Sequence, residues 1–162
     1  MDKKGTIYIG VIGSGICDEG VAHQAYEVGR LIAEREAVLV CGGRGGVMEA
    51  AARGAREAGG IAVGILPGID GREGNEYLSI TIPTGLGDAR NAIITRTADA
   101  VIAVCGGFGT LSEIGLALKM GKPVIGLNTW EIRNEDGCPL VIAQSPGDAV
   151  NRAIQAVKNK WR

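Results

Sequence analysis

Apolar residues in this chain fall into two alternating patterns. Short runs rich in β-branched residues, at 7–12, 37–41, 61–66, 78–82, 101–104 and 123–127, predict buried strands of a parallel sheet. Between them, small apolar residues recur at helical spacing. Val21, Ala22, Ala25, Val28, Gly29, Ile32 and Ala33 predict a helix of about 14 residues. Val47, Ala50, Ala51, Gly54, Ala55 and Ala58 predict a second helix with a very small inward face, stopped by Gly59-Gly60. A third helix is expected over 87–98, and a fourth carries Leu111, Ile114, Gly115 and Leu118. Ser145-Pro146 supplies an N-cap and a first-turn Pro for a last helix bearing Val150, Ala153, Ile154, Val157 and Trp161. Residues 140–143 read as a short strand, 67–76 as the longest turn-rich stretch, and 128–137 as irregular, with Trp130 inside it. The strand–helix alternation predicts one α/β domain over 1–162. It is a single Rossmann-like, doubly wound domain with a mainly parallel sheet, binding ligands at the carboxyl ends of its strands.

Composition narrows the class. A chain of 162 residues, 46% apolar and 22% charged, can bury one substantial core. Aromatics are only 4% and Gly reaches 27 residues, so the core is built from Ala, Val, Ile and Leu, which suits helices lying close on a sheet. A net charge of −1 gives no electrostatic case for nucleic acid or a membrane surface. The first residues show no signal-peptide layout and no apolar run has membrane-spanning length, so a cytoplasmic protein is expected. Its four cysteines then read as free thiols, and their spacing fits no structural zinc site; no metal ligand set is expected.

The chemistry concentrates on one stretch. The run 101–104 ends in Cys105-Gly-Gly-Phe-Gly-Thr110, and a helix follows. Strand, glycine turn and helix in that order leave unpaired N–H groups at a helix start, where anions bind. Gly106, Gly107, Gly109 and Thr110 are therefore the candidate phosphate ligands. The same order occurs earlier: Val40-Cys-Gly-Gly-Arg-Gly-Gly-Val-Met-Glu49 lines up with Val104-Cys-Gly-Gly-Phe-Gly-Thr-Leu-Ser-Glu113. Either one tight turn was used twice, or two helix starts converge on one ligand. Ser14, Gly43 and Met48, on turns at the same rim, are candidates for contacts to the rest of that ligand.

Other nucleotide fingerprints fail. Gly13-Ser-Gly15 opens like a dinucleotide site, but the second strand ends in Cys41-Gly-Gly-Arg44, without the acid that would hold a ribose. No Gly-Lys-Ser/Thr follows any glycine turn. Thr110-Leu-Ser-Glu113 fits a capping box, which alone would explain its spacing. In a parallel layer, however, the helix beginning Gly87-Asp-Ala-Arg-Asn91 starts on the rim where the strand at 101–104 ends. Arg90 and Glu113 are thereby expected beside the glycine turn, an Arg able to grip phosphate and a carboxylate kept ionised by the helix dipole. Asn91 joins the ligand candidates.

Arg90, Gly106-Gly-Phe-Gly-Thr110 and Glu113 together resemble the LONELY GUY (LOG) family, whose motif is Pro-Gly-Gly-x-Gly-Thr-x-x-Glu preceded by an Arg. The resemblance runs from the first strand to about Leu127, within the wider LOG-like superfamily once labelled lysine decarboxylases. It implies N-glycosidic hydrolysis of nucleoside 5′-monophosphates by a phosphoribohydrolase, with Arg90 and Glu113 catalytic, no required cofactor, and a homodimer or higher homo-oligomer. Cys105, Ser112 and Asn91 depart from that motif and look more like the branch with molybdenum cofactor carrier proteins. That branch implies the alternative of a non-catalytic carrier, with molybdenum cofactor or another pterin phosphate as its bound ligand. The decarboxylase label finds no support, since the lysines lie at the termini or at Lys119 and Lys122, away from any pyridoxal phosphate pocket.

Other residues receive plainer readings. His23 is expected to be solvated or packed, and Asp70, Glu73 and Glu76 to form a solvated loop face. Trp130 is expected in loop packing or an interface. Cys41 and Cys105 are small residues chosen for fit, or else a soft metal contact across the rim.

Overall fold

The computed structural model describes residues 5–137 and 139–160; Cys138 and the Trp161 of the expected last-helix stripe lie outside them. The strands are β1 (Tyr8–Gly13), β2 (Val38–Cys41), β3 (Ala62–Leu66), β4 (Ile80–Pro83), β5 (Ala100–Val104), β6 (Val124–Leu127) and β7 (Val141–Ile142). The helices are α1 (Glu19–Glu34), α2 (Val47–Glu57), α3 (Asn91–Thr97), α4 (Phe108–Lys119) and α5 (Pro146–Lys160). Single 3₁₀ turns occupy Gly71–Glu73 and Gly87–Arg90. All seven strands pair in parallel, in the order β4-β3-β2-β1-β5-β6-β7.

Two apolar layers enclose this sheet. One packs α1, α2 and α5 on one face through Ala25, Val28, Ala51 and Ala153; the other packs α3 and α4 on the opposite face through Ile94, Ile114 and Ala117. β5 is buried along its whole length, whereas β4 and β7 are exposed edges. Among the described residues, no helix is long and apolar enough to cross a membrane.

Small residues let α1 and α2 approach to backbone contact. A Cβ built on Gly29 would stand 1.9 Å from the Ala51 carbonyl oxygen, and one on Gly54 would stand 2.0 Å from that of Tyr26. Several features differ from the sequence expectation. The buried face of α2 is Val47, Met48, Ala51, Ala52, Gly54 and Ala55; Ala50 is half-buried at the edge of that face, and Ala58 is exposed at the C-cap, past the end of the helix. The expected helix over 87–98 is a 3₁₀ turn followed by the shorter α3. β4 starts at Ile80, and Leu78 packs against the core instead of extending the strand.

Strand order reverses at β1, which has β2 on one side and β5 on the other. Loops leaving the carboxyl ends of β1 and β5 therefore diverge to opposite faces and open a crevice. Ser14 from one loop and Gly107 from the other face each other across it, a Cβ on Gly107 lying 4.0 Å from the Ser14 hydroxyl.

Candidate functional site

The crevice is a cavity of about 270 Å³ lined by Gly13, Ser14, Gly15, Met48, Asp88, Arg90, Asn91, Gly107, Gly109, Thr110 and Glu113. Eight of the sequence candidates thus line one cavity: Ser14, Met48, Arg90, Asn91, Gly107, Gly109, Thr110 and Glu113. Gly43 and Gly106 do not line it. Gly43 packs against Leu66 and Leu78, and Gly106 reverses the chain at φ 111°, where its Cα faces the Thr110 side chain. Gly13, Gly15 and Asp88 line the cavity without having been singled out as candidates. The only available signal was their place in rim turns.

The start of α4 corrects the capping-box expectation. Gly107, not Thr110, is the N-cap, and no side chain caps the helix. The first helical bond runs from the Leu111 N–H to the Gly107 carbonyl at 3.0 Å, so the N–H groups of Phe108, Gly109 and Thr110 precede it. Glu113 falls in the second turn, too far along to reach back to the cap. The earlier glycine turn is built differently. There the helix starts only at Val47 and keeps Glu49 in its first turn, so the two copies share sequence but not geometry. Rather than forming a second cradle, the earlier turn makes a floor. A Cβ on Gly42 would collide with both Arg90 Nη atoms, at 2.7 and 2.8 Å, and with Met48 Sδ at 2.7 Å.

Arg90 and Glu113 are both buried, 9% and 6% exposed, with Nη1 and Oε1 3.9 Å apart. Arg90 Nη1 donates to Asn91 Oδ1 at 2.6 Å, and Nε has no acceptor among the described residues. Asn91 Nδ2 donates to the Ser112 hydroxyl at 3.4 Å, which donates to the Gly109 carbonyl at 2.7 Å. A hydrogen-bond chain thus ties the guanidinium to the glycine turn. Burial pushes the Glu113 carboxyl up to about 7, and the Arg90 charge only partly opposes this. Burial likewise lowers the Arg90 guanidinium, against the pull of Glu113. The expected place in the first turn of the helix is corrected, and the shift runs against the expected dipole stabilisation of the ionised form, because the group lies buried in the second turn.

Trp130 proves to be loop packing. Its Nε1–H donates to the Gly107 carbonyl at 3.1 Å and its ring lies 5.7 Å from that of Phe108, so the segment after β6 braces the glycine turn. Cys41 and Cys105 go separate ways. Cys41 is fully buried, its thiol pushed up to about 12 by burial and donating to the Met48 carbonyl at 3.9 Å. Cys105 is partly exposed, and its charged neighbour is Asp18. His23 is exposed on α1.

A parallel sheet with this switch point, and an Arg and a Glu paired beside an uncapped glycine-led helix, define a Rossmann-like domain of the LOG type. The chain belongs to the SLOG cluster4 family, whose model matches residues 6–150. It is 47% identical over 156 residues to a protein of Archaeoglobus fulgidus, covering 91% of this chain and 95% of the other. It is also 34% identical over 116 residues to LOGL9 of Oryza sativa subsp. japonica, named "Probable cytokinin riboside 5′-monophosphate phosphoribohydrolase". That match covers 70% of this chain and spans only 51% of the rice protein. Among solved structures, the Moco (molybdenum cofactor) carrier protein of Chlamydomonas reinhardtii superposes with a TM-score of 0.86 at 36% identity, covering 96% of this chain and 99% of that one.

Proposed function

We propose that this protein binds the phosphate of a nucleotide-like ligand at the start of α4 and hydrolyses the N-glycosidic bond of a nucleoside 5′-monophosphate. The observation that carries this is the buried Arg90–Glu113 pair, 3.9 Å apart, lining the same cavity as an uncapped helix start. The N–H groups of Phe108, Gly109 and Thr110 suit phosphate oxygens, and the Arg90 guanidinium lining the same cavity adds a charged donor. With the phosphate fixed, the ribose C1′ faces Glu113. As the C1′–N bond breaks, electrons leave with the base and positive charge develops on the sugar. The Glu113 carboxylate stabilises that charge and takes a proton from the water that adds to C1′; that proton is passed on to the nitrogen of the departing base, giving ribose 5-phosphate and neutral free base and restoring the carboxylate. A group held near neutrality suits this proton transfer, and the name of the rice relative is in line with it.

A second reading is a carrier that holds molybdenum cofactor, or another phosphorylated ligand, by the same cradle without turnover. The similarity to the Chlamydomonas carrier over nearly the whole of both chains favours it, and so do Asn91 and Ser112, which tie up Arg90. Incubation with AMP and other nucleoside monophosphates, assayed for free base, separates the two. Hydrolysis predicts base release by the wild type and its loss in Glu113→Gln. Ligand binding without base release refutes hydrolysis and leaves the carrier.

A further inference from the structure

A second cavity, about 500 Å³, lies beside the first, between the leading halves of α1 and α2 and the segment that precedes β4. Its chemistry comes from Cys17, His23, Tyr26, Glu49, Arg53 and Tyr77. The size falls within the range of small-molecule sites, roughly 300–1,000 Å³. One wall is braced. Arg53 Nε donates to Glu57 at 2.9 Å and the Tyr26 hydroxyl donates to the same carboxylate at 2.6 Å. The Arg53 guanidinium carbon lies 5.7 Å from the Tyr26 ring centre and 6.0 Å from that of Tyr77. Asn75, which bonds the backbone of Gly43 and Arg44, also accepts from the Tyr77 N–H at 3.1 Å and so fixes the main chain that carries that ring.

The charge of Arg53 is thus answered by Glu57, whereas Glu49 has no hydrogen-bond or ion-pair partner among the described residues. It sits in the first turn of α2. Between the residues that line the two cavities, the Gly45-Gly46 turn packs backbone to backbone on the Ser14-Gly15 turn. A Cβ on Gly46 would stand 2.3 Å from the Ser14 carbonyl oxygen, and one on Gly45 would stand 3.1 Å from that of Gly15. Gly15 and Met48 line the first cavity, Gly46 and Glu49 the second.

We infer that the second cavity is the subsite for the ring of the ligand, and that Glu49 selects a 2-amino-4-oxo heterocycle of the guanine or pterin class. This rests on the phosphate cradle proposed above. An ionised carboxylate only accepts hydrogen bonds, so the edge it meets must present two adjacent donors. A ring N–H beside an exocyclic amino group does so. Adenine places an acceptor nitrogen beside its amino group, which a carboxylate repels. The guanidinium plane and the two phenol rings offer flat faces for such a ring.

The test is calorimetric titration of the whole chain with phosphate-free guanosine, pterin and adenosine, alongside ribose 5-phosphate as a probe of the cradle alone. Guanosine and pterin are expected to bind at least about tenfold more tightly than adenosine, a gap that Glu49→Gln abolishes while leaving ribose 5-phosphate affinity unchanged. Tyr77→Ala weakens guanosine and pterin and likewise spares ribose 5-phosphate. Equal binding of guanosine and adenosine, or a preference that survives Glu49→Gln, overturns the inference. Failure of ribose 5-phosphate alone, with the Glu49-dependent preference intact, refutes the cradle and leaves this site standing.

Discussion

Glu113 is buried beside a guanidinium that is itself short of partners, and their balance sets how the cavity responds to pH. Its carboxyl is raised from an ordinary 4.5 to about 7 in the folded chain, so the unfolded chain ionises first. The stability this confers is complete below the ordinary value, is lost as pH rises to about 7, and is level above that. Glu113→Gln cannot ionise. It should gain on wild type by on the order of 2 kcal/mol between pH 5 and pH 8, read from urea unfolding at both; parallel stability curves would refute this. Arg90→Lys should weaken ribose 5-phosphate binding by about tenfold or more, because an ammonium cannot reproduce the planar guanidinium fork. Arg90 and Glu113 were legible in the sequence because a parallel layer must put a helix start and the next strand end on one rim. Gly13, Gly15 and Gly42 were not. Their contribution is the absence of a side chain where Val47, the ligand crevice or Arg90 needs room, and that depends on what stands opposite in space.

At the level of elements, the strands were read well and the helix starts less well. Runs such as Val101–Val104 have one stable home, a strand covered on both faces, and the structure extends that one by a single residue. A helix start has several competing solutions. Thr110 carries the letters of a cap, but its side chain is buried against Gly106, and the free glycine backbone lets the helix begin at Phe108. The helices also make opposite demands on glycine. Gly29→Ala or Gly54→Ala should destabilise by about 3 kcal/mol, since the methyl would enter a carbonyl of the neighbouring helix. Gly115 lies in α4 with nothing within 4 Å of a built Cβ, so Gly115→Ala should stabilise by about 0.5–1 kcal/mol. Thermal unfolding of the three variants checks both signs together.

Over the whole molecule, one reversal of strand order gathers residues from three loops that lie far apart in sequence. The alternating pattern gave the layers, but the order β4-β3-β2-β1-β5-β6-β7 is a long-range choice that periodicity does not carry. Both ends of that order are open. β4 leaves Ile80 and Ile82 half exposed, and β7 does the same with Val141 and Ile142. Apolar open edges invite pairing with another chain. If the expected homo-oligomer uses β4, the doubly substituted Ile80→Lys, Ile82→Lys chain should show a smaller mass by light scattering, whereas an unchanged mass points to another surface.

Cys41 closes β2 directly behind Arg90 and Glu113, fully enclosed and with its thiol held up to about 12. It is therefore a clock for opening of the sheet centre. Thiol reagents should modify the partly exposed Cys17 and Cys105 first, and Cys41 only when β2 parts from its neighbours. The slow labelling phase then times the loosening of the crevice floor, and an occupant that grips Arg90 should lengthen it.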